Sequence, residues 1–350
     1  MLGQFPASRH DGAEWHSDDT YRKKRQLQPI AFKACLAELR ADWSAYKDVL
    51  DFPSWSSTGF ICWRCHCRKE DLKIFRDSTL EKYPLISSME FFVRQQQENK
   101  FISKLFSIPG FGTENCKVDF LHAADLGITI DFMGSLLYYI QAERIRGQSM
   151  LKRCAKLYED IHSFYERNST QDRLPKLLPT MLRADDKGKE KVPKLRAKAG
   201  EARSLVPCMV ELARKHLDDS KEQEVTMIRA AQALQAIYSG LSSATWNVED
   251  FQKNVQVFLL VMSSLEEFFQ VDMLFRLKPK AHMLLECSRD ESEEGTSPAL
   301  FWAYRDESFG HTLAILAARR GGKFSMKAVS KAVLLRFMAA NKVPRLMEAS

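Results

Sequence analysis

The stretch VDFLHAADLGITIDFMGSLLYYI, residues 118–140, decides the fold that the sequence predicts. Its first apolar residues are typical of the end of a buried strand: Val118, Phe120 and Leu121. Later apolar residues recur at the spacing of one helix face: Leu126, Ile130, Met133, Leu136, Leu137 and Ile140. Since α/β proteins often place their chemistry where a strand leads into a helix, Asp119 and His122 are the first candidate functional residues. The structural alternative is that Asp119 caps a turn and His122 is hydrogen-bonded in the core.

The composition is that of an ordinary soluble globular protein, with 45% hydrophobic and 28% charged residues in 350. A formal net charge of +7 is weak support for a polyanion partner. No apolar signal peptide precedes the eight cysteines, which predicts reduced thiols in the nucleus or the cytoplasm. The longest apolar run, VFLLVM at 257–262, is too short to span a bilayer, so no membrane partner is expected.

A cluster of cysteines, CWRCHC at 62–67, is the strongest metal signal in the chain. Cys62 and Cys65 are separated by two residues, a spacing that brings both sulfurs within reach of one tetrahedral zinc ion. A structural zinc site needs four ligands, and the remaining candidates are Cys67, His66, Cys116 and His122. We take Cys62, Cys65, Cys116 and His122 as the predicted zinc ligands. The alternatives are a redox pair or buried apolar thiols.

Changes in composition divide the chain into six segments. The charged stretch ADDKGKEKVPK at 184–194 is the predicted linker, because it has almost nothing to bury. In order, the segments are a loosely ordered lead-in (1–29), an α/β segment with the cysteine cluster (30–183), the linker (184–194), a bundle of amphipathic helices (195–286), an acidic loop (287–300) and C-terminal helices (301–350).

A basic patch lies in the last segment, at Arg319, Arg320 and Lys323. Such a patch suits phosphates, and the alternative is a solvated helix end with a glycine stop. With only a moderate net charge and no motif that reads the major groove, we expect weak, sequence-indifferent DNA binding that fades with salt.

Several landmarks, in this order, resemble the transposases of CACTA-type DNA transposons. In that family an aspartate precedes a glycine-containing apolar run, a C-x-x-C knuckle and a D-x-x-H motif that leads into an L-G helix. The matching residues here are Asp42, Gly59-Phe60, Cys62 with Cys65, and Asp119 with His122 ahead of Leu126-Gly127. Three later segments are also similar to family segments: LRAKAGEARSLVP (195–207), KPKAHMLLEC (278–287, a P-K-x-H run) and FWAYRDESFG (301–310).

The resemblance implies a ribonuclease-H-like core interrupted by a large helical insertion. Residues 30–183 would then be the remnant of that core, and the predicted fold is predominantly α with a small α/β part. Family members cut DNA with three carboxylates that hold two magnesium or manganese ions. Asp42 matches the second carboxylate, and Glu201 is carried over as the third. Asp119 and His122 complete the set of family-matched catalytic candidates.

One departure from the family shapes the functional expectation. The first aspartate of such a triad lies on the first strand, whereas the residues before Asp42 are polar and helical in pattern. The sequence therefore predicts a transposase-derived chain that is catalytically incomplete and binds DNA weakly. The alternatives are a metal-dependent transposase or nuclease that needs a missing N-terminal part, and a helical interaction protein.

Overall fold

The structure, a computed structural model, is mainly helical, as the sequence predicts. It describes residues 38–71, 75, 83–182, 185–186, 189–190, 192–289 and 296–300, with scattered residues between 302 and 336. The chain forms two compact units, Met1–Phe301 and Trp302–Ser350, and everything below concerns the first. Within the described ranges, none of the helices combines the length and apolar character that crossing a membrane requires.

A short parallel pair of strands positions two of the predicted carboxylates. Strand β1 (Leu39–Ala41) pairs with β2 (Cys116–Val118), and Ala41 lies opposite Val118. Because the two strands run in the same direction, Asp42 and Asp119 leave the sheet at the same edge. The Tyr46 hydroxyl bridges the pair, 2.5 Å from the Leu39 carbonyl and 2.8 Å from the Lys117 carbonyl. One parallel pair does not establish a ribonuclease-H-like core, which stays a prediction.

The crossover between these strands carries the cysteine cluster. Helix α1 (Trp43–Leu50) is capped by Asp42, whose carboxylate accepts from the Ala45 N–H. Helix α2 (Ser88–Gln97) begins with a capping box formed by Ser87 and Glu90. Short 3₁₀ turns complete the segment at Lys69–Asp71, Lys104–Ser107 and Thr113–Asn115. An aromatic core joins them: Tyr46, Phe52, Trp63 and Phe91.

The buried centre of the unit is helix α3 (Thr129–Tyr139). It is preceded by a π-helical segment, Leu121–Ile128, and followed by another, Ile140–Arg144. The helical region therefore includes Leu121, which the sequence assigned to the strand. At Gly134 the helix meets another part of the backbone, since a Cβ there would lie 2.5 Å from the Leu195 nitrogen. The Leu195 N–H donates to the Ile130 carbonyl at 2.9 Å, so this close approach fixes the following segment against α3.

The remaining helices surround α3. They are α4 (Met150–Arg167), α5 (Pro179–Leu182), α6 (Ala199–His216), α7 (Glu222–Ser239), α8 (Val248–Phe268) and α9 (Lys280–Ser288). The amphipathic segments predicted after the linker form α6, α7 and α8, and α7 packs against both of its neighbours. Helix α9 packs against α8, β2 and the first π-helical segment, which brings it to the edge of the small sheet.

The charged segment 184–194 is not a boundary between the two compact units, because both of its ends lie within Met1–Phe301. Two-residue strands, β3 (Asp185–Asp186) and β4 (Lys189–Glu190), pair antiparallel within it. The Lys194 N–H then donates to the Leu182 carbonyl at 2.8 Å. The chain thus leaves and returns at one place on the unit, because a hairpin brings its two ends together.

Candidate metal centre and adjacent cavity

Four buried side chains converge where the cysteine cluster meets α9. They are Cys62, Cys65, His282 and Glu286, and one potential ligand atom from each lies within 4.8 Å of the others. The two cysteines and Glu286 are 0% exposed, and His282 is 2% exposed. A buried carboxylate and thiolates so close together require a compensating cation, which makes this group the candidate metal centre.

The local backbone of the cysteine cluster turns both sulfurs toward one point. The Arg64 N–H donates to the Cys62 sulfur at 3.3 Å, and the Cys67 N–H donates to the Cys65 sulfur at 3.4 Å. The Arg94 guanidinium, on α2, donates to the carbonyls of Cys62 at 2.9 Å and Cys65 at 3.3 Å. The loop is held from both sides, and its N–H groups favour the thiolate form of the two cysteines.

Helix α9 supplies the other two groups. His282 and Glu286 are four residues apart and therefore lie on the same helix face. The His282 Nε2 lies 3.5 Å from the Cys65 Sγ and 3.3 Å from the Glu286 Oε1. A zinc ion forms bonds of about 2.3 Å to sulfur and about 2.0–2.1 Å to nitrogen and oxygen. At tetrahedral angles, these bond lengths place a sulfur and a nitrogen ligand about 3.5 Å apart, and a nitrogen and an oxygen ligand about 3.3 Å apart.

The contacts of His282 with Cys65 and Glu286 both involve Nε2, which carries at most one hydrogen, and the side chain also lies within hydrogen-bonding reach of Cys62 and Cys67. One N–H cannot donate well to a sulfur and a carboxylate in different directions, whereas a metal ion between the three atoms would contact all of them. The measured separations are those of two edges of a zinc tetrahedron. The residues present therefore fit a four-coordinate zinc ion.

Two arginines balance the charge around Glu286. The Arg64 Nε lies 3.2 Å from one carboxylate oxygen, and an Arg289 terminal nitrogen lies 3.1 Å from the other. Both arginines are nearly buried, with side chains 7% and 8% exposed. A zinc ion with two thiolates and one carboxylate carries a formal charge of −1, which these guanidinium groups offset. Such outer partners orient the ligands and tune the affinity for the metal.

The pKa shifts of these groups are coupled to His282: burial acts to lower the pKa of His282, but hydrogen bonds with Cys62, Cys67 and Glu286 raise it well above its usual value. Burial raises the pKa of Cys62, but hydrogen bonds from Cys65 and His282 outweigh burial and lower this pKa to about 6. Burial also opposes ionisation of Glu286, yet the hydrogen bond and charge of His282, together with the arginines, lower its pKa to about 2. The hydrogen bond that the Cys65 thiol donates to Cys62 raises the pKa of Cys65, so the first thiolate forms at Cys62.

Of the four predicted zinc ligands, Cys62 and Cys65 belong to the group that could hold a metal ion, together with His282 and Glu286. Cys116 and His122 do not belong to the group of four. Burial raises the pKa of Cys116 to about 12, and its thiol points to the Gly112 carbonyl at 3.8 Å. His122 contacts the Asp119 carboxylate instead. Helix α9 instead supplies the partners of the cysteine cluster, through the contacts of His282 with Cys65 and of Glu286 with Arg64.

Sequence reasoning missed His282 and Glu286, although a signal for them existed. The segment KPKAHMLLEC was noted for its P-K-x-H resemblance, without a role for the histidine. A histidine and a glutamate four apart in a helix present two ligand atoms to one point, as in other helical metal motifs. A search for such a helical pair, as the missing partners of the C-x-x-C motif, would have identified both residues.

A cavity of about 370 Å³ lies at the edge of the small sheet, and it brings together three of the four predicted catalytic residues, Asp42, Asp119 and His122. The Asp119 carboxylate accepts from the Leu121 N–H at 3.1 Å and the His122 N–H at 3.3 Å, and lies 2.5 Å from the His122 Nδ1. Asp119 thus caps the helical turn, as the structural alternative predicted, and it also orients His122 in the cavity, as a functional role would require.

Two of the lysines that line this cavity come from the start of α9: Lys278 lies just before the helix and Lys280 is its first residue. The Lys278 amino group lies 2.6 Å from the Asp131 carboxylate, which is also part of the cavity wall. Lys280 donates to the Leu126 carbonyl at 2.8 Å. Burial lowers the pKa of Lys280, while the charges of Asp131, Asp42 and Asp119 act in the opposite direction. The carboxylates therefore already have lysine counter-charges nearby.

Two further groups of predicted site residues lie elsewhere. Glu201 is not among the residues that line the cavity, and its carboxylate accepts from the Lys198 N–H at 2.8 Å to close a capping box at the start of α6. The predicted DNA-binding patch, Arg319, Arg320 and Lys323, lies outside the described residues.

Comparison with known proteins adds no identification: no family model, no curated protein and no solved structure matches this chain.

Proposed function

We propose that this chain is a zinc-binding, transposase-derived protein that does not cut DNA by itself, with a metal centre that stabilises its fold. The observation that carries the proposal is the convergence of Cys62, Cys65, His282 and Glu286, with two separations that equal the edges of a zinc tetrahedron. Two thiolates disfavour magnesium and calcium, which prefer oxygen ligands. All four groups are buried, which is typical of a closed structural site instead of a catalytic site with an open position.

The arrangement of the motifs supports the transposase part of the proposal. The C-x-x-C and P-K-x-H segments, which carry the resemblance, are about 220 residues apart and meet at the metal centre. Asp42 and the D-x-x-H pair, which carry it as well, share the cavity. Separate motifs of a family meet in space when they serve common sites, whereas chance matches would be scattered over the fold.

Absence of cleavage follows from the charges in the cavity. A two-metal mechanism needs carboxylates that are available to hold two ions about 4 Å apart. Here Asp131 is paired with Lys278, Asp119 contacts His122, and Glu201 caps a helix outside the cavity wall. We expect the protein to bind DNA weakly through phosphate contacts and to leave it uncut with magnesium or manganese.

One observation favours a second candidate function, a metal-dependent nuclease. Asp42 and Asp119 follow the paired ends of two parallel strands, an arrangement that suits metal-assisted phosphoryl chemistry. Incubation of supercoiled plasmid with the protein and Mg²⁺ or Mn²⁺ distinguishes the nuclease from the non-catalytic protein. Nicking by the wild type that Asp42→Asn abolishes would establish the nuclease, and an intact plasmid supports the non-catalytic proposal.

Metal analysis of ligand variants tests the main proposal. We expect one zinc per chain in the purified protein, and loss of that zinc in Cys65→Ser and His282→Ala. Cys154→Ser is the matched control, because Cys154 is buried on α4 away from the group of four. Wild-type protein without zinc, or equal zinc in the ligand variants and the control, would refute the metal centre.

A further inference from the structure

A basic groove adjoins the cavity. Lys194 and Lys278 line both hollows, and Arg196 lines only the groove. The basic side chains come from an extended segment, residues 192–198, in which exposed and buried residues alternate. Lys194, Arg196 and Lys198 are exposed, whereas Leu195 is buried against α3. The backbone thus presents three cations along one line, as a strand presents alternate side chains to one face.

These three cations have no internal acidic partner in the described part of the chain. The salt bridges there include none from the side chain of Lys194, Arg196 or Lys198, although Lys278 is paired with Asp131. Lys194 also lies near another cation, Lys280. Burial is the main cause that lowers the pKa of Lys280, and the charge of Lys194 is the second. A row of cations without internal acidic partners attracts an anion with repeated charges.

Tryptophans form the opposite wall of the cavity. Trp55 is 58% exposed, so its ring is open to solvent. The Trp43 ring is fixed by its Nε1–H, which donates to the Pro53 carbonyl at 2.9 Å. Trp63 is stacked on Phe52 and is buried, with an indole N–H that has no hydrogen-bond partner. The cavity therefore offers a flat aromatic surface and a buried donor that lacks an acceptor.

We propose that the cavity and the basic groove together bind a single nucleic-acid strand, with one base stacked on Trp55 and the adjoining phosphates on Lys194, Arg196 and Lys198. A groove of cations beside an aromatic platform is the general design of single-strand binding, because every base has a face that stacks. Asp42, next to Trp43 in the cavity wall, offers a carboxylate to an amino group of the base.

A single strand fits this site better than a duplex. A paired base is stacked between its neighbours, so its face becomes available to the Trp55 ring only after it leaves the helix, which costs a few kcal/mol. An unpaired base enters without that cost. The inference rests on the proposed function for the claim that the protein binds nucleic acid, and it adds which form is preferred and which residues bind it.

Fluorescence anisotropy with zinc-loaded, full-length protein tests the preference. The probes are a labelled 12-nucleotide strand of mixed sequence and the duplex of the same length. We expect tighter binding of the single strand. Three phosphate contacts at a slope of about −0.7 each predict that its affinity falls roughly 20-fold between 50 and 200 mM salt.

Variants assign the binding to the site. Trp55→Ala should weaken single-strand binding by about 5- to 150-fold. The double variant with Lys194→Ala and Arg196→Ala should reduce the magnitude of the salt slope by about 1.4. Phe101→Ala and Lys253→Ala are matched controls, because both residues are exposed elsewhere in the unit, and both should leave binding unchanged. Zinc content and circular dichroism check that each variant is folded.

The outcomes separate this inference from the proposed function. Equal or tighter binding of the duplex, or an unchanged affinity in Trp55→Ala, overturns the single-strand site but leaves weak DNA binding intact. A loss of the same size in the controls also overturns it. If neither probe binds, the nucleic-acid part of the proposed function fails as well, while the zinc measurements still decide the metal centre.

Discussion

At the residue scale, the environment of Glu286 makes a prediction about affinity for zinc. Arg64 donates to the carboxylate oxygen that does not face His282, so it orients Glu286 without reaching the metal position. Arg64→Met keeps the apolar stem and removes the charge, and we expect zinc affinity to fall by about 10- to 100-fold. Competition with a chromophoric chelator measures this affinity.

The control for that variant is Arg167→Met, which removes an exposed arginine paired with Glu211 on α6. An exposed ion pair contributes little to stability and is remote from the cysteine cluster, so zinc affinity should not change. Equal affinities in Arg64→Met and the wild type would mean that Glu286 needs no arginine and that its place in the centre is doubtful.

Tyr165 makes a prediction about stability at alkaline pH. Burial raises the pKa of Tyr165 to about 12, although the hydrogen bond from the Leu174 N–H acts in the opposite direction. Below pH 10 the side chain is neutral in both the folded and the unfolded states. Between pH 10 and 12 only the unfolded state ionises, so the free energy of unfolding should decrease, by about 2 kcal/mol between pH 9 and 11.5.

Urea unfolding of the wild type and Tyr165→Phe at these two pH values measures the effect. The variant cannot ionise at this position, so its loss of stability over the same interval should be about 2 kcal/mol smaller. The remaining tyrosines are common to both proteins and cancel in the comparison. Identical losses in the two proteins would show that Tyr165 titrates normally in the folded state.

The residues of the metal centre show what sequence spacing can and cannot reveal. Cys62 and Cys65 were predictable because both ligands come from one local turn, and local geometry follows from spacing. His282 lies 217 positions from Cys65, and only the packing of α9 on the cysteine cluster brings them together. The structure places Cys116 and His122 outside this group, and the spacing of the cysteines could not indicate that, because long-range packing leaves no mark on it.

At the scale of elements, Gly134 is where helix α3 meets the basic segment. A Cβ at this position would lie 2.5 Å from the Leu195 nitrogen and from the Lys194 Cα, both of which are backbone atoms. Gly134→Ala should therefore force the segment away from α3 and destabilise the protein by about 1–3 kcal/mol, despite the better helix propensity of alanine. Thermal or urea unfolding measures the loss.

Gly240→Ala is the matched control for this substitution, because a Cβ there would meet only the Ala236 and Ile237 carbonyls, at 3.4 and 3.6 Å. We expect a change of less than about 1 kcal/mol in the control. A Gly134→Ala protein as stable as the control would show that the Lys194–Leu195 backbone moves freely, which would also weaken the case for a fixed basic groove.

The elements were predictable to different degrees. Helices α4, α6, α7 and α8 follow from apolar residues at three and four spacing, a local and repeated signal. The π-helical segments on either side of α3 could not be predicted from the sequence. Apolar residues repeat about every 3.6 positions in an α-helix, and this repeat does not show where the backbone hydrogen bonds change to the i→i+5 pattern of a π-helix. Strand β2 has only three residues and ends before Phe120, too short a run for an alternating pattern to mark its end.

At the scale of the whole molecule, the metal would cross-link distant parts of the first unit. Zinc bound by Cys65 and His282 closes a loop of more than 200 residues, and a cross-link of that length restricts the unfolded chain by about 5 kcal/mol in the chain-entropy account. A zinc chelator should therefore lower Tm by several degrees, and added Zn²⁺, but not Mg²⁺, should restore it. His282→Ala should show no response to the chelator, and a wild-type Tm indifferent to chelation would contradict the structural role.

The composition and the helical periodicity predicted the overall class of the molecule, a mainly helical protein with a small sheet. They did not predict that Asp185–Asp186 and Lys189–Glu190 pair within one compact unit, because a charged segment has the same composition whether or not it separates two units. The pairing of β1 with β2 depends on contacts across 77 positions, which a single sequence does not display.

X-ray absorption at the zinc edge of the purified protein tests the central claim most directly, because it counts the atoms bound to the metal. The structure predicts two sulfur atoms at about 2.3 Å, from Cys62 and Cys65, and two nitrogen or oxygen atoms at about 2.0–2.2 Å, from His282 and Glu286. A protein without bound zinc, or a zinc shell of three or four sulfurs or of none, would contradict this metal centre.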